Sequence, residues 1–475
     1  MTVAIIVIYG LITLWAIFNL ILYGARPSKS LSWFVVILML PFFGVLFYVL
    51  FGINRRKLKF FRLKQTEERQ SYDLHLSAKR QNNAQIPLMS KKGYKLMKLI
   101  TKNAGLYPYQ GNEVTILEDG IKTFEMILKE LQAARKFIHI QFYIFEEGEL
   151  LERLCQVFEE RIAAGVEVRI IYDAIGSLAW RRSSINRFKA LGVQVFSSMP
   201  LRLGSILFTL NYRNHRKIIV IDGVVGFTGG VNVSDKYIRS TNSLGVWDDM
   251  HLCIKGPAIN DLHRIFIKDY YFASDDKEDL LNERYLPKIP DHGKTIVQFV
   301  ASGPDSNYSA IMQQYIMLIN LAEDYICIAN PYFIPSIAVI EALKMAALSG
   351  IKVKVLVPRK SDSSLVKHSM FSYFEELLSA NIEIYLHREK FLHSKMMVID
   401  DEIVSVGSSN FDHRSFEQNF EANAVVYDSI IARLVKEDFQ NDCSESVLLD
   451  LETFKKRPIR HKLLEGFARM FSPLL

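Results

Sequence analysis

Two stretches of the chain place a histidine and a lysine two residues apart at the head of an apolar run that ends in an aspartate. They are Asn214-His215-Arg216-Lys217-Ile218-Ile219-Val220-Ile221-Asp222 and Leu392-His393-Ser394-Lys395-Met396-Met397-Val398-Ile399-Asp400. Runs of this kind read as buried strands. Side chains alternate along a strand, so the His and Lys of each copy point to one face, with Arg216 and Ser394 turned to the other. The copies agree beyond the aspartate as well. Seven residues past Asp222 begins Gly229-Gly230-Val231-Asn232, and seven past Asp400 begins Gly407-Ser408-Ser409-Asn410. Small residues there allow close approach of the backbone, and each asparagine brings an amide that can donate to an anion.

These residue types suit transfer at a phosphodiester, whose negative charge repels nucleophiles and whose alkoxide leaves poorly. A neutral imidazole can attack it and form a covalent phosphoryl-histidine, dividing one difficult displacement into two. A second, protonated imidazole can give its proton to the leaving alkoxide and later take one from the incoming alcohol. Lys217 and Lys395 would neutralise the phosphoryl oxygens, with Asn232 and Asn410 as further donors. Since one imidazole must be neutral and the other charged, a bell-shaped pH profile is expected. A lysine beside each histidine repels a cation, and no Cys, His or Asp cluster has ligand spacing along the chain. Neither a metal nor another cofactor is therefore expected.

The double His-x-Lys-x4-Asp pattern resembles that of the phospholipase D superfamily. A narrower resemblance, to bacterial cardiolipin synthases with two such motifs, covers essentially the whole chain. It rests on two N-terminal apolar runs with Arg26-Pro27-Ser28 between them, on Asn211-Tyr212-Arg213-Asn214-His215-Arg216-Lys217, and on Asp412-His413-Arg414-Ser415-Phe416. The resemblance implies an α/β fold of two pseudo-symmetric phospholipase D-like sandwich domains. It implies transfer of a phosphatidyl group between two phosphatidylglycerol molecules, giving cardiolipin and glycerol without ATP. It implies His215 as nucleophile and His393 as acid and base. A carboxylate downstream of each motif orients the histidines in that family, and Glu421 of Asn419-Phe420-Glu421 and Asp249 of Trp247-Asp248-Asp249-Met250-His251 fit that part. Asp222 and Asp400 complete the catalytic motifs, although their place at the strand end suits bracing a loop better than touching substrate.

Two other readings share parts of the pattern. One is a membrane phospholipase D that hands the group to water, or a related transferase with another donor lipid. The other is a non-catalytic membrane scaffold, which predicts erosion of a motif position, yet both His, both Lys and both Asn are present.

The elements that must position these residues repeat too. Phe137 to Phe145 is matched by Tyr325 to Phe333, each followed by a helix ending at Gly165 or Gly350 and then by a strand. The chain therefore encodes two copies of one βα unit, and packing them about a pseudo-two-fold axis would join His215 and His393 in a single site. The expected organisation is a transmembrane hairpin over 1–52, a basic connector over 53–110 with a helix near Lys91 to Lys102, and domains over 111–288 and 289–475.

Composition is that of a globular chain, with a net charge of +7 over 475 residues, 49% hydrophobic and 23% charged. Val3 to Tyr23 and Leu31 to Phe51 are long and uncharged, enough for about 31 Å of helix each, with Pro41 expected to kink the second. Positions 53–102 hold 14 Lys and Arg against three Asp and Glu. That favours a hairpin with both ends, and so the catalytic domains, in the cytoplasm, and the resemblance implies a multi-pass protein of a bacterial plasma membrane. The same charge placement leaves the catalytic part mildly acidic. Phosphatidylglycerol and other anionic lipids are the expected partners, and a nucleic-acid enzyme, whose site should be basic, is disfavoured. Met199 to Leu210 reads as an interfacial segment or a core helix. The tail from Phe454 reads as a basic amphipathic helix, lying on the membrane or capping the second domain. Four scattered cysteines read as reduced thiols.

Overall fold

The apolar runs that follow the His-x-Lys of each motif, Ile218–Ile221 and Met396–Ile399, become interior strands of the sheet. The computed structural model describes residues 2–23, 27–40, 42–53, 90–200, 211–274 and 279–475. The first half contributes β1 (Pro108–Leu117), β2 (Phe137–Phe142), β3 (Glu167–Asp173), β4 (Gln194–Ser198), β5 (Ile218–Ile221), β6 (Val225–Gly229), β7 (Trp247–Asp248) and β8 (His251–Lys255). The second contributes β9 (Thr295–Ser302), β10 (Tyr325–Ala329), β11 (Lys352–Pro358), β12 (Glu383–His387), β13 (Phe391–Leu392), β14 (Met396–Ile399), β15 (Ile403–Gly407), β16 (Glu421–Tyr427) and β17 (Val447–Leu448).

Fifteen of these form one mixed sheet, in the order β17-β12-β11-β10-β14-β15-β16-β9-β1-β8-β6-β5-β2-β3-β4. Outward from the central β9–β1 pair, the order β16, β15, β14, β10, β11, β12 mirrors β8, β6, β5, β2, β3, β4. The sequence duplication is thus a spatial one. The two halves are continuous rather than separate sandwiches, because antiparallel pairing of β1 with β9 satisfies two edges that would otherwise expose unpaired backbone groups. The parallel pairs β2–β3 and β10–β11 need crossover helices, supplied by Glu149–Ala163 and Ile337–Leu348. Gly165 and Gly350 follow these helices with φ of +86° and +100°, a left-handed conformation that side chains resist.

One apolar cluster crosses the junction. Val220 and Leu252 share it with Val297, Val404 and Val426, under the helices Ile259–Ala273 and Ser429–Ser444. The opposite face of each half has its own core.

The N-terminal region departs from a pair of continuous spans. The first run is a helix, Thr2–Tyr23. The second divides into Pro27–Met39, Phe43–Phe47 and a π-turn Tyr48–Gly52. Pro41 lacks the amide a helix needs, and Phe42 turns to φ +65°, so the expected kink is a break. Tyr48 Oη donates to Asn19 Oδ1 at 2.9 Å and ties the runs together. Among the residues described in full, no helix is long and apolar enough to cross a membrane. The connector ends in the expected helix, Lys91–Ala104, capped by the Ser90 hydroxyl and by Gly105 at φ +72°. The basic positions before it, Arg26 and the segment 201–210 lie outside the described residues.

Candidate active site

Each motif head meets the other half of the molecule through backbone. His215 N donates to Phe420 O and Phe420 N to Arg213 O, both at 2.9 Å, while His393 N donates to Asp248 O at 2.6 Å. In the second case β13 and β7 pair in parallel. These bridges bring each histidine onto the carboxylate of the opposite half. His393 Nδ1 lies 2.5 Å from Asp249 Oδ2, and His215 Nδ1 lies 3.3 Å from Glu421 Oε1. With both Nδ1 atoms committed, the Nε2 atoms are left for chemistry.

The carboxylates are themselves fixed. Glu421 accepts from Ser408 Oγ at 2.5 Å and Ser415 Oγ at 3.0 Å, and Asp249 Oδ1 from Met250 N at 2.9 Å. The small residues after the first motif serve this purpose. A Cβ on Gly230 would collide with the Asp249 carboxylate, so the close approach there is to a protein side chain. Asn232 accepts from Ile144 N at 3.2 Å and donates to Tyr237 Oη at 3.1 Å, and that hydroxyl stands 3.2 Å from His393 Nδ1. Asn410 is buried, and its Oδ1 has no partner among the described residues.

Burial sets the charges. Lys217 Nζ donates to the His215 carbonyl at 2.7 Å, and burial, helped by Lys395, lowers its pKa to about 7. Lys395 Nζ stands 3.6 Å from Asp249 Oδ2 and is also lowered by burial, against the pull of Asp249 and Glu421. Burial lifts Asp249 to about 6, with Lys395 opposing. Burial, then Lys395 and Lys217, hold His393 well below the usual imidazole range. The site thus gathers two imidazoles, two ammonium groups and two carboxylates in a space where charges interact strongly.

Asp222 and Asp400, grouped with the catalytic residues from the motif pattern, do not join this constellation. They lie at the far ends of β5 and β14, at φ +53° and +52°. Asp222 accepts from the amides of Arg135, Lys136 and Phe137 at 2.7–2.9 Å. Asp400 accepts from those of Glu323, Asp324 and Tyr325 at 2.8–3.0 Å, and from Lys92 Nζ at 2.6 Å. Each carboxylate ties its motif strand to the start of the neighbouring one, at a turn where Asp tolerates a left-handed backbone.

The sequence assigned no role to several residues around the site. Arg216, read only as facing away from His215, reaches across the junction. Its guanidinium donates to Asp269 Oδ1 at 2.5 Å, to the Glu421 carbonyl at 3.2 Å and to the Ser302 carbonyl at 3.1 Å. Arg213 Nε lies 3.0 Å from both Asp173 oxygens. The Tyr143 ring centroid is 4.0 Å from that of His215. One acid–histidine group with cation-ligand proximity is assembled by the fold alone. Asp248, His387 and Asp442 bring donor atoms within 4.8 Å of one another. Lys390 Nζ is already 3.3 Å from Asp248 Oδ1 there, and burial pushes Asp442 up to about 8.

A family model described as "Cardiolipin synthase, PLD-like domain" matches residues 127–270 and 315–443, and one described as "Phospholipase D-nuclease N-terminal" matches 11–52. The chain is 38% identical over 454 residues to the cardiolipin synthase of Alkalihalophilus pseudofirmus, covering 95% of this chain and 90% of that protein. It is 37% identical over 454 residues to the cardiolipin synthase of Listeria monocytogenes, covering 94% of each. Among solved structures, the phosphatidylserine synthase of Haemophilus influenzae superposes with a TM-score of 0.60 at 15% identity, over 81% of this chain and 100% of that one. That likeness is one of fold.

Proposed function

Because the chain belongs to the cardiolipin synthase family of the phospholipase D superfamily, and is thus a phosphatidyltransferase, we propose that its donor and acceptor are both phosphatidylglycerol. In this reading His215 Nε2 attacks the phosphorus and the bond to the headgroup glycerol breaks. The leaving alkoxide takes a proton from the His393 imidazolium and departs as glycerol. His393 then removes a proton from a hydroxyl of the second phosphatidylglycerol, whose oxygen attacks the same phosphorus. The phosphorus–nitrogen bond breaks, and cardiolipin leaves. One phosphodiester replaces another, so concentrations set the direction.

The observation that carries this reading is the crossed pairing of each imidazole with a carboxylate from the other half. It supports a single shared site in which each Nδ1 is held and each Nε2 is free. Burial keeps His393 neutral in the empty site; a bound phosphodiester would offset Lys217 and Lys395 and let it take up the proton it must donate. Lys217 and Lys395 neutralise the phosphoryl oxygens, with Asn232 and Asn410 lining the site.

The N-terminal runs anchor the chain in the membrane in this reading, both ends on the cytoplasmic side. Support comes from the helix Thr2–Tyr23, where Leu11, Leu14, Phe18 and Ile21 are exposed. The test is lipid product analysis with purified protein in phosphatidylglycerol vesicles. Cardiolipin and glycerol in equal amounts, absent in His215→Ala and His393→Ala, are expected. Phosphatidic acid alone would mean that water is the acceptor and overturn the reading.

A further inference from the structure

The helix Ile459–Arg469 is amphipathic in the opposite sense to one that caps a domain. Glu465 and Ala468 are its buried residues, and Glu465 is held by Arg457, whose Nη2 lies 2.9 Å from Oε2. Successive residues turn by about 100°, so Ile459, Leu463 and Phe467, with Met470 at the helix end, fall on the opposite side. These four and Leu464 are 50–75% exposed. A contiguous apolar face of this kind marks a contact rather than scattered surface residues. Arg460 and Lys462 flank it, and Lys462 also lends its positive charge to Glu375 at the rim.

The helix is seated on the second half, and the residues after it reach the segment that follows the second motif. It packs on the helix Ser364–Phe371. Ser472 Oγ lies 2.8 Å from Ser369 Oγ, and Arg414 N, four residues beyond Asn410, donates to the Leu475 carbonyl at 3.1 Å.

We infer that this face is a second membrane contact. Its apolar side chains enter the interfacial zone of an anionic bilayer, Arg460 and Lys462 meet lipid phosphates, and the helix holds the second-motif side of the site toward the surface that supplies lipid. The inference rests on the reading of the enzyme as acting on membrane lipid and adds the surface that orients it. An N-terminal anchor keeps the site near a bilayer without deciding which face meets it. A second copy of the chain is the poorer occupant, because it would set the same cations against each other around one apolar stripe.

The test uses the full chain carrying Leu463→Cys, spin-labelled, in vesicles, with the unsubstituted protein labelled in parallel to subtract its native cysteines. In phosphatidylglycerol vesicles the nitroxide is expected to be reached by oxygen in preference to a water-soluble nickel chelate, and less so in phosphatidylcholine. A water-exposed nitroxide in phosphatidylglycerol overturns the inference. So does spin–spin broadening that vanishes on dilution with unlabelled protein, which would put a second copy on the face. As an independent readout, Leu463→Glu with Phe467→Glu is expected to slow turnover on vesicles about tenfold while leaving it within about twofold on monomeric short-chain phosphatidylglycerol. No loss on vesicles, or equal loss on both substrates, overturns it. Absence of cardiolipin from the unsubstituted protein would strike the proposed function and leave the nitroxide result to stand on its own.

Discussion

Lys217 occupies a buried space beside a second ammonium, and its charge is the least secure in the site. Its folded pKa, about 7, lies below the usual 10.5, so the proton is lost as pH rises through neutrality in the substrate-free enzyme. The pH dependence of kcat/KM reports free-enzyme groups, and an alkaline fall above about pH 7 is expected. In Lys217→Arg the charge persists, so the part of the fall that Lys217 adds near neutrality should disappear while the part set by His393 stays, at a lower maximum; kcat/KM measured against pH on phosphatidylglycerol vesicles checks this. Asp249 holds His393 in one orientation through Nδ1. Asp249→Asn keeps the shape but removes the negative charge and replaces one accepting oxygen with a donor, and turnover should fall by a factor on the order of a thousand, by analogy with other carboxylate–histidine pairs. His251→Gln is not expected to behave that way, since neither ring nitrogen of His251 has a hydrogen-bond partner among the described residues.

At the scale of the element, the motif aspartates and Arg216 do different work within strands that look equivalent. Asp222→Ala and Asp400→Ala each leave three backbone amides without their acceptor, which should cost about 1–3 kcal/mol by urea unfolding. Turnover per folded molecule should stay within about threefold, because neither carboxylate reaches the histidines. A thousandfold loss with unchanged stability would show that they act in catalysis. Arg216→Met breaks a buried ion pair and leaves Asp269, which still accepts from Gln141 and Asn214, without a countercharge, a change that typically costs about 3–5 kcal/mol. Asp269→Leu combined with Arg216→Met should recover part of it, as a double-mutant cycle would measure.

The whole molecule is one sheet with a core that crosses the pseudo-symmetry axis, and its chemistry is divided the same way. Each histidine depends on a carboxylate from the other half, so neither half expressed alone is expected to make cardiolipin. Unfolding of the two halves should coincide when followed by circular dichroism and by the fluorescence of Trp180 and Trp247, both in the first half, against that of a tryptophan introduced at Phe439 in the second. Separate transitions would mean that the β1–β9 seam and the shared cluster contribute little. The acid–histidine group at Asp248, His387 and Asp442 also joins the two halves, beside the β7–β13 pair and one residue from Asp249.

Local pattern carries what depends on neighbouring residues. Strand alternation put His and Lys on one face and turned Arg216 away. The repeat of Phe137–Phe145 in Tyr325–Phe333, with a glycine after each crossover helix, foretold two copies of one unit. The spacing of both motifs to Asn232 and Asn410 pointed to phosphoryl transfer, and the wider resemblance pointed to the family. The residues that needed the tertiary structure are those whose partners lie far along the chain. Pairing of Asp249 with His393 rather than His215, the identity of the amides that Asp222 and Asp400 brace, and the joining of the two halves in one sheet all depend on which edges meet. The tail shows the division plainly. Its 3.6-residue period was legible, but a period has no sign, and only the packing of Glu465 and Ala468 inward decided that the apolar side faces out.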